Sequence, residues 1–137
     1  MLVDTCIWSL SLRRQLHDLG AEDLILHAEL RELVAEGRVQ LVGPVRQEVL
    51  SGIRNQSQYQ RLSKILRSFA DEPPTTADYE LAARMSNDCR AAGIAGSAID
   101  FLLCAVASAR HWSLFTNDSD FQAFSSVFPV PLHKPRR

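Results

Sequence analysis

Apolar and polar positions follow two rhythms along this chain, and each switch from one to the other marks an element. Met1–Asp4 is a short apolar run that predicts a buried strand, and Thr5 is placed to cap a brief helix through Leu12. Glu22–Glu36 carries apolar residues at Leu24, Ile25, Ala28, Leu30, Leu33 and Val34, an approximate helical stripe that Gly37 ends. Val39–Val42 reads as a second strand, and Gly43-Pro44 opens a helix over Val45–Ile53, because proline suits a helix start. Ser57–Phe69 sets Leu62, Ile65, Leu66 and Phe69 on one side of a further helix. Asp71-Glu72-Pro73-Pro74 breaks the pattern around a minimal strand, and Thr76–Ala92 is an amphipathic helix ending at Gly93. Ser97–Arg110 is apolar almost all round and predicts a buried helix. Trp112–Thr116 is the next strand, Phe121–Val127 a helix, and Val130–Leu132 a last strand. The basic, proline-containing segment His133–Arg137 is expected to be a flexible tail.

Strands alternating with helices imply an α/β fold with a mainly parallel sheet covered on both faces. In such sheets functional groups collect beyond the carboxyl ends of the strands. Asp4 closes the first strand, and Asp118 and Asp120 follow directly on the strand ending at Thr116. If both strands are central and parallel, these acids meet at one edge. A chain of 137 residues has room for one compact domain, here 1–132, and shows no repeat or Gly/Ser linker. At 46% hydrophobic and 23% charged residues the composition is that of an ordinary globular protein.

Cys6, Cys89 and Cys104 are too scattered for a disulfide framework or a C-x-x-C metal motif, and are expected to be small apolar residues in a reducing cytoplasm. The start of the chain lacks a signal-peptide pattern. No apolar run approaches the roughly 20 residues that span a bilayer. The longest, Ala98–Ala109, contains Asp100. A soluble protein without a membrane partner is therefore expected. A formal charge of −1 exerts no global pull on nucleic acid, so a nucleic-acid substrate would need local basic patches and metal ions.

Most of the 16 acidic residues lie on polar helix faces or in loops. Three lie in apolar company. Asp4 follows Met-Leu-Val, Glu48 stands between Val45 and Val49-Leu50, and Asp100 interrupts Ala98-Ile99 and Phe101-Leu102-Leu103. A carboxylate among buried groups loses hydration that hydrogen bonds, a cation or protonation must replace. Each acid also has a local reading. Asp4 suits a helix cap, Glu48 an exposed helix position, Asp100 a helix start near a Ser97 cap, and Asp118 and Asp120 a turn before the Phe121 helix. One divalent ion accounts for all five together, since hard Mg²⁺ or Mn²⁺ prefers carboxylate and water oxygen. The Thr116 hydroxyl at a strand end would support an acid or a metal-bound water. His17, His27, His111 and His133 have no metal-ligand spacing, and neither a Gly-x-Ser-x-Gly elbow nor a P-loop occurs.

Four segments together resemble the PIN domain, and more narrowly the VapC-type toxins of bacterial toxin–antitoxin pairs. They are Met-Leu-Val-Asp4-Thr5-Cys-Ile-Trp8, Val45-Arg-Gln-Glu48-Val-Leu-Ser-Gly52, the run from Gly96 through Asp100 to Ala107, and Thr116-Asn-Asp118-Ser-Asp120-Phe121. Cys6 departs from the pattern, where serine is common, and so does Cys104. The resemblance implies a three-layer α/β/α domain with a central sheet of about four to five strands. It implies an Mg²⁺- or Mn²⁺-dependent endoribonuclease holding one or two ions, a homodimer, and a small VapB-type antitoxin as partner. Asp4, Glu48, Asp100 and Asp118 occupy the positions of the family's four acids, Asp120 matches a frequent fifth, and Thr116 its usual hydroxyl.

For RNA contacts, Arg13 and Arg14 follow the first segment, and Arg54, Arg61, Lys64 and Arg67 cluster in the middle helices. Trp8 could stack on a base or fill a core or dimer contact. The competing readings are a protein-binding module with an inactive acid pocket, a related nuclease acting in RNA processing or on DNA, and a phosphatase or receiver with Asp4 as nucleophile. Against the last, Cys6 stands where such phosphatases carry a second Asp.

Overall fold

A computed structural model describes residues 1–136 of the chain. Its elements are β1 (Leu2–Val3), α1 (Thr5–Leu12), α2 (Ala21–Ala35), α3 (Gly43–Leu50), α4 (Gln56–Leu66), α5 (Thr76–Ala91), α6 (Ala98–Arg110), β2 (Leu114–Phe115) and α7 (Asp120–Phe124), with a 3₁₀ turn at Leu16–Asp18. None of these helices is long and apolar enough to cross a membrane.

The alternation of strand and helix expected from the sequence is present, but the sheet is thinner than expected. Among the described residues only β1 and β2 form strands, paired in parallel with Leu2 opposite Leu114 and Val3 opposite Phe115. Three isolated parallel bridges extend this layer: Leu2 with Gln40, Leu41 with Asp71, and Leu114 with Leu132. The order across the layer is thus Asp71, Gln40-Leu41, β1, β2, Leu132. Gln40, Leu41 and Leu132 form isolated bridges where Val39–Val42 and Val130–Leu132 were expected as strands of a sheet of about four to five. α3 starts two residues after Leu41, which leaves no length for a ladder there.

The helix boundaries follow local chemistry. Asn55 caps α4 by accepting from the Gln58 amide at 2.9 Å, so that helix begins before Ser57. α3 stops at Leu50, short of Ile53, because Ser51 is extended and Gly52 takes a left-handed φ of 82°. α7 is shorter than Phe121–Val127, ending at Phe124. Thr75–Asp78 and Ser97–Asp100 form capping boxes at the starts of α5 and α6.

α6 is the buried helix, with Phe101–Ala107 enclosed on every side. It packs against α5 and β2, while Phe101, Phe121, Phe124 and Phe128 form an aromatic cluster. Gly96 lies against that cluster: a Cβ there would stand 2.5 Å from the Phe124 ring and 2.8 Å from that of Phe101. Trp8 is a core residue, edge-on to Phe69 at 5.2 Å, which removes it from base stacking. Cys89 and Cys104 are buried and, like Cys6, free.

Residues 133–136 have partners where the sequence suggested a loose tail. Arg136 donates to Glu29 at 2.7 and 2.9 Å and to Glu36 at 2.7 Å, and pairs with Glu32 at 3.3 Å. Those three glutamates share one face of α2, and Glu29 is buried among them. Arg137, the last residue of the expected tail, lies outside the described residues.

Candidate metal centre

β1 and β2 run parallel and adjacent, so the residues after them emerge on the same edge of the layer. Asp4 follows β1, held by its amide to the Phe115 carbonyl at 2.9 Å, and caps α1 by accepting from the Thr5 amide at 2.7 Å. The side chain is buried. Its second oxygen accepts from the Thr116 hydroxyl at 2.8 Å and lies 3.4 Å from the Cys6 sulfur. Thr116 in turn accepts from the Asp118 amide at 3.0 Å, and Asp118 accepts from the Asp120 amide at 2.9 Å. One relay of hydrogen bonds therefore runs from the end of β1 through the end of β2 to the start of α7.

Asp100 reaches the same edge from α6. Its amide donates to the Ser97 hydroxyl at 3.1 Å while one carboxylate oxygen accepts from the Ser97 amide at 3.2 Å, fixing the side chain at the helix start. Asp100, Asp118 and Asp120 each offer a carboxylate oxygen, and these oxygens all lie within 4.8 Å of one another. Asp120, the fifth acid singled out in the sequence, is thus in the group. Asp4 stands beside it, joined through Thr116.

The electrostatics match this crowding. Burial raises the Asp4 carboxyl above the ordinary carboxylate range against the pull of its Thr116, Thr5 and Cys6 hydrogen bonds, and the Asp118 charge adds to the rise. Burial also raises Asp100, opposed by Ser97 and reinforced by the charges of Asp4 and Asp118. No Lys, Arg or His pairs with Asp4, Asp100, Asp118 or Asp120 among the described residues. Elsewhere the buried acids are neutralised: Asp78 by Arg110 at 2.9 Å and Glu29 by Arg136. The strand-edge acids lack any such partner, and an all-oxygen donor set of this kind suits a hard divalent cation.

Glu48 follows its local reading as an exposed helix position. Val45 and Val49 are buried, but Glu48 between them is exposed, because the apolar face of α3 turns inward on either side of it. It joins the site through one contact, accepting from the Thr5 hydroxyl. Thr5, expected to cap α1, is instead its first residue after the Asp4 cap, and its hydroxyl links Glu48 to the Asp4 turn. The signal was its place directly after the strand-end acid.

Of the basic candidates, Arg13 and Arg14 line a recess of about 460 Å³ beside the acids, together with Cys6 and Asn117. Arg14 is engaged there by Asp23 at 3.1 Å and by the Asp18 carbonyl. Lys64 and Arg67 line a separate recess on α4 with Tyr59. Arg54 and Arg61 are exposed and line neither recess.

A family model described as "PIN domain" matches residues 1–126. Among solved structures, FitAcB from Neisseria gonorrhoeae is similar with a TM-score of 0.74 at 23% identity, over 98% of this chain and 96% of that one. VapBC2 from Rickettsia felis, bound to a DNA fragment from its promoter, gives 0.70 at 15% identity over 96% of both chains. FitAB bound to the IR36 DNA fragment gives 0.74 at 23% identity over 98% of this chain and 94% of that one. No curated protein matches the sequence.

Proposed function

The chain belongs to the PIN domain family, and from that premise we propose that it is a metal-dependent endoribonuclease, the toxin of a toxin–antitoxin pair. The observation that carries the reading is the uncompensated convergence of Asp100, Asp118 and Asp120 beside buried Asp4. Asp4, Asp100 and Asp118 would hold Mg²⁺ or Mn²⁺, with Asp120 completing the set and Glu48 placed for a second ion or for the attacking water. When bound, such an ion lowers the pKa of a water and offsets the charge that builds on a phosphodiester under attack. The chain's own part is to keep the donors rigid. Thr116 and the Thr5 amide fix both oxygens of Asp4, the capping box fixes Asp100, and the Thr5 hydroxyl holds Glu48 at the mouth of the site.

RNA as substrate, a small antitoxin as inhibitor, a homodimer as the working unit and a cytoplasmic location belong to the same proposal. They are supported by the four-segment resemblance and by solved neighbours whose names pair two components. The test is cleavage of an RNA panel with and without Mg²⁺ or Mn²⁺, and of DNA alongside. Asp4→Asn and Asp100→Asn should each lower the rate by ~10³-fold or more, the scale of several kcal/mol of metal-borne stabilisation. Full activity in both variants, or equal activity in EDTA, would overturn the assignment.

A further inference from the structure

The recess beside the acids has a composition that the acid chemistry does not use. It shares Cys6 and Asn117 with the strand-edge turns, so it opens directly next to Asp4, Thr116 and Asp118. Its volume of about 460 Å³ falls within the ~300–1,000 Å³ of small-molecule sites. Its two arginines have different duties. Arg14 is bound to Asp23 and the Asp18 carbonyl and serves as wall, whereas Arg13 is exposed and forms no ion pair among the described residues. Asn117 is exposed, and its amide offers two donors and an acceptor; Ser9 adds a hydroxyl, and Leu10 an apolar flank.

Resting on the nuclease reading above, we infer that this recess is a nucleobase subsite that sets which residue of a single-stranded RNA lies next to the cut. The charge arrangement sorts the parts of a nucleotide. Asp23 neutralises Arg14 on the wall, so the interior offers no unpaired cation, while exposed Arg13 offers one for a backbone phosphate. An amide and a hydroxyl over an apolar flank are the groups that read the edge of an unstacked base. The substrate would therefore pass with one phosphate at the acids and the adjoining base in the recess.

Cleavage of a randomised RNA pool, with all new ends sequenced, tests this for the wild type, Asn117→Ala, Asn117→Asp and Arg13→Ala. The wild type should show a base preference at one fixed position beside the cut. Asn117→Ala should reduce it roughly tenfold, the order of one good edge contact. Asn117→Asp, which exchanges donors for an acceptor at the same size, should move the preference to a different base. Arg13→Ala should weaken binding across all sequences and lower the slope of log affinity against log salt by about one. A wild type that cuts with no preference beside the cut, or variants that keep the wild-type preference there, would overturn the subsite alone. A wild type that cuts no RNA would overturn the nuclease reading and the subsite with it.

Discussion

At the scale of single residues, the acids do two jobs at once, which is why their local and chemical readings both came out of the sequence. Asp4 is a helix cap and Asp100 a capping-box partner, yet both are also pressed against like charge. A carboxyl whose folded-state pKa exceeds its unfolded value costs stability once ionised. That cost is absent below the ordinary carboxylate range and complete above the raised value. Asp100→Asn keeps an acceptor for the Ser97 amide and removes the charge. In EDTA at pH 7 it should raise Tm by about 1–3 °C, as expected for relief of a few tenths of a kcal/mol of repulsion. The gain should shrink as pH falls through the raised value of Asp100 towards the ordinary range, seen in melts across a pH series; a variant less stable than wild type at pH 7 would contradict it. Asp4 and Asp100 were legible because a carboxylate inside an apolar run has few explanations. Glu48 was less legible, because buried Val45 and Val49 beside it in sequence face another way on the helix.

At the scale of elements, what positions Asp100 is the turn before α6. Gly96 gives that turn its close approach to Phe101 and Phe124, and the start of α6 follows from it. Gly96→Ala should force the two rings apart and cost about 1–3 kcal/mol, the usual penalty for overpacking a filled core. A urea or thermal denaturation series measures it, and loss of metal affinity beyond the loss of stability would show the turn shifting Asp100. The helices were legible within a turn at each end, since capping residues and glycines mark them. The sheet was not, because a bridge of one residue, such as Gln40 or Leu132, leaves no alternation to read.

At the scale of the whole molecule, the crowding of buried Asp4 and of Asp100 with like charge raises the free energy of the folded state, a cost that a bound cation would offset. A ligand that binds only the folded form stabilises it by mass action, about 2.7 kcal/mol at a hundred times its dissociation constant. Mn²⁺ or Mg²⁺ at saturating concentration should therefore raise the wild-type Tm by several degrees in a thermal-shift series, and this rise should vanish in Asp100→Asn; an unchanged wild-type Tm would speak against a site at this edge. The docking of residues 133–136 bears on the same balance from α2. Arg136 offsets one of the three negative charges of Glu29, Glu32 and Glu36, so the near-zero formal charge is not spread evenly over the surface. A total close to zero then conceals a local negative pole at the strand edge, where Asp100, Asp118 and Asp120 gather with no paired cation among the described residues. A cation approaching that pole is attracted, whereas a polyanion is held off until the pole has been neutralised.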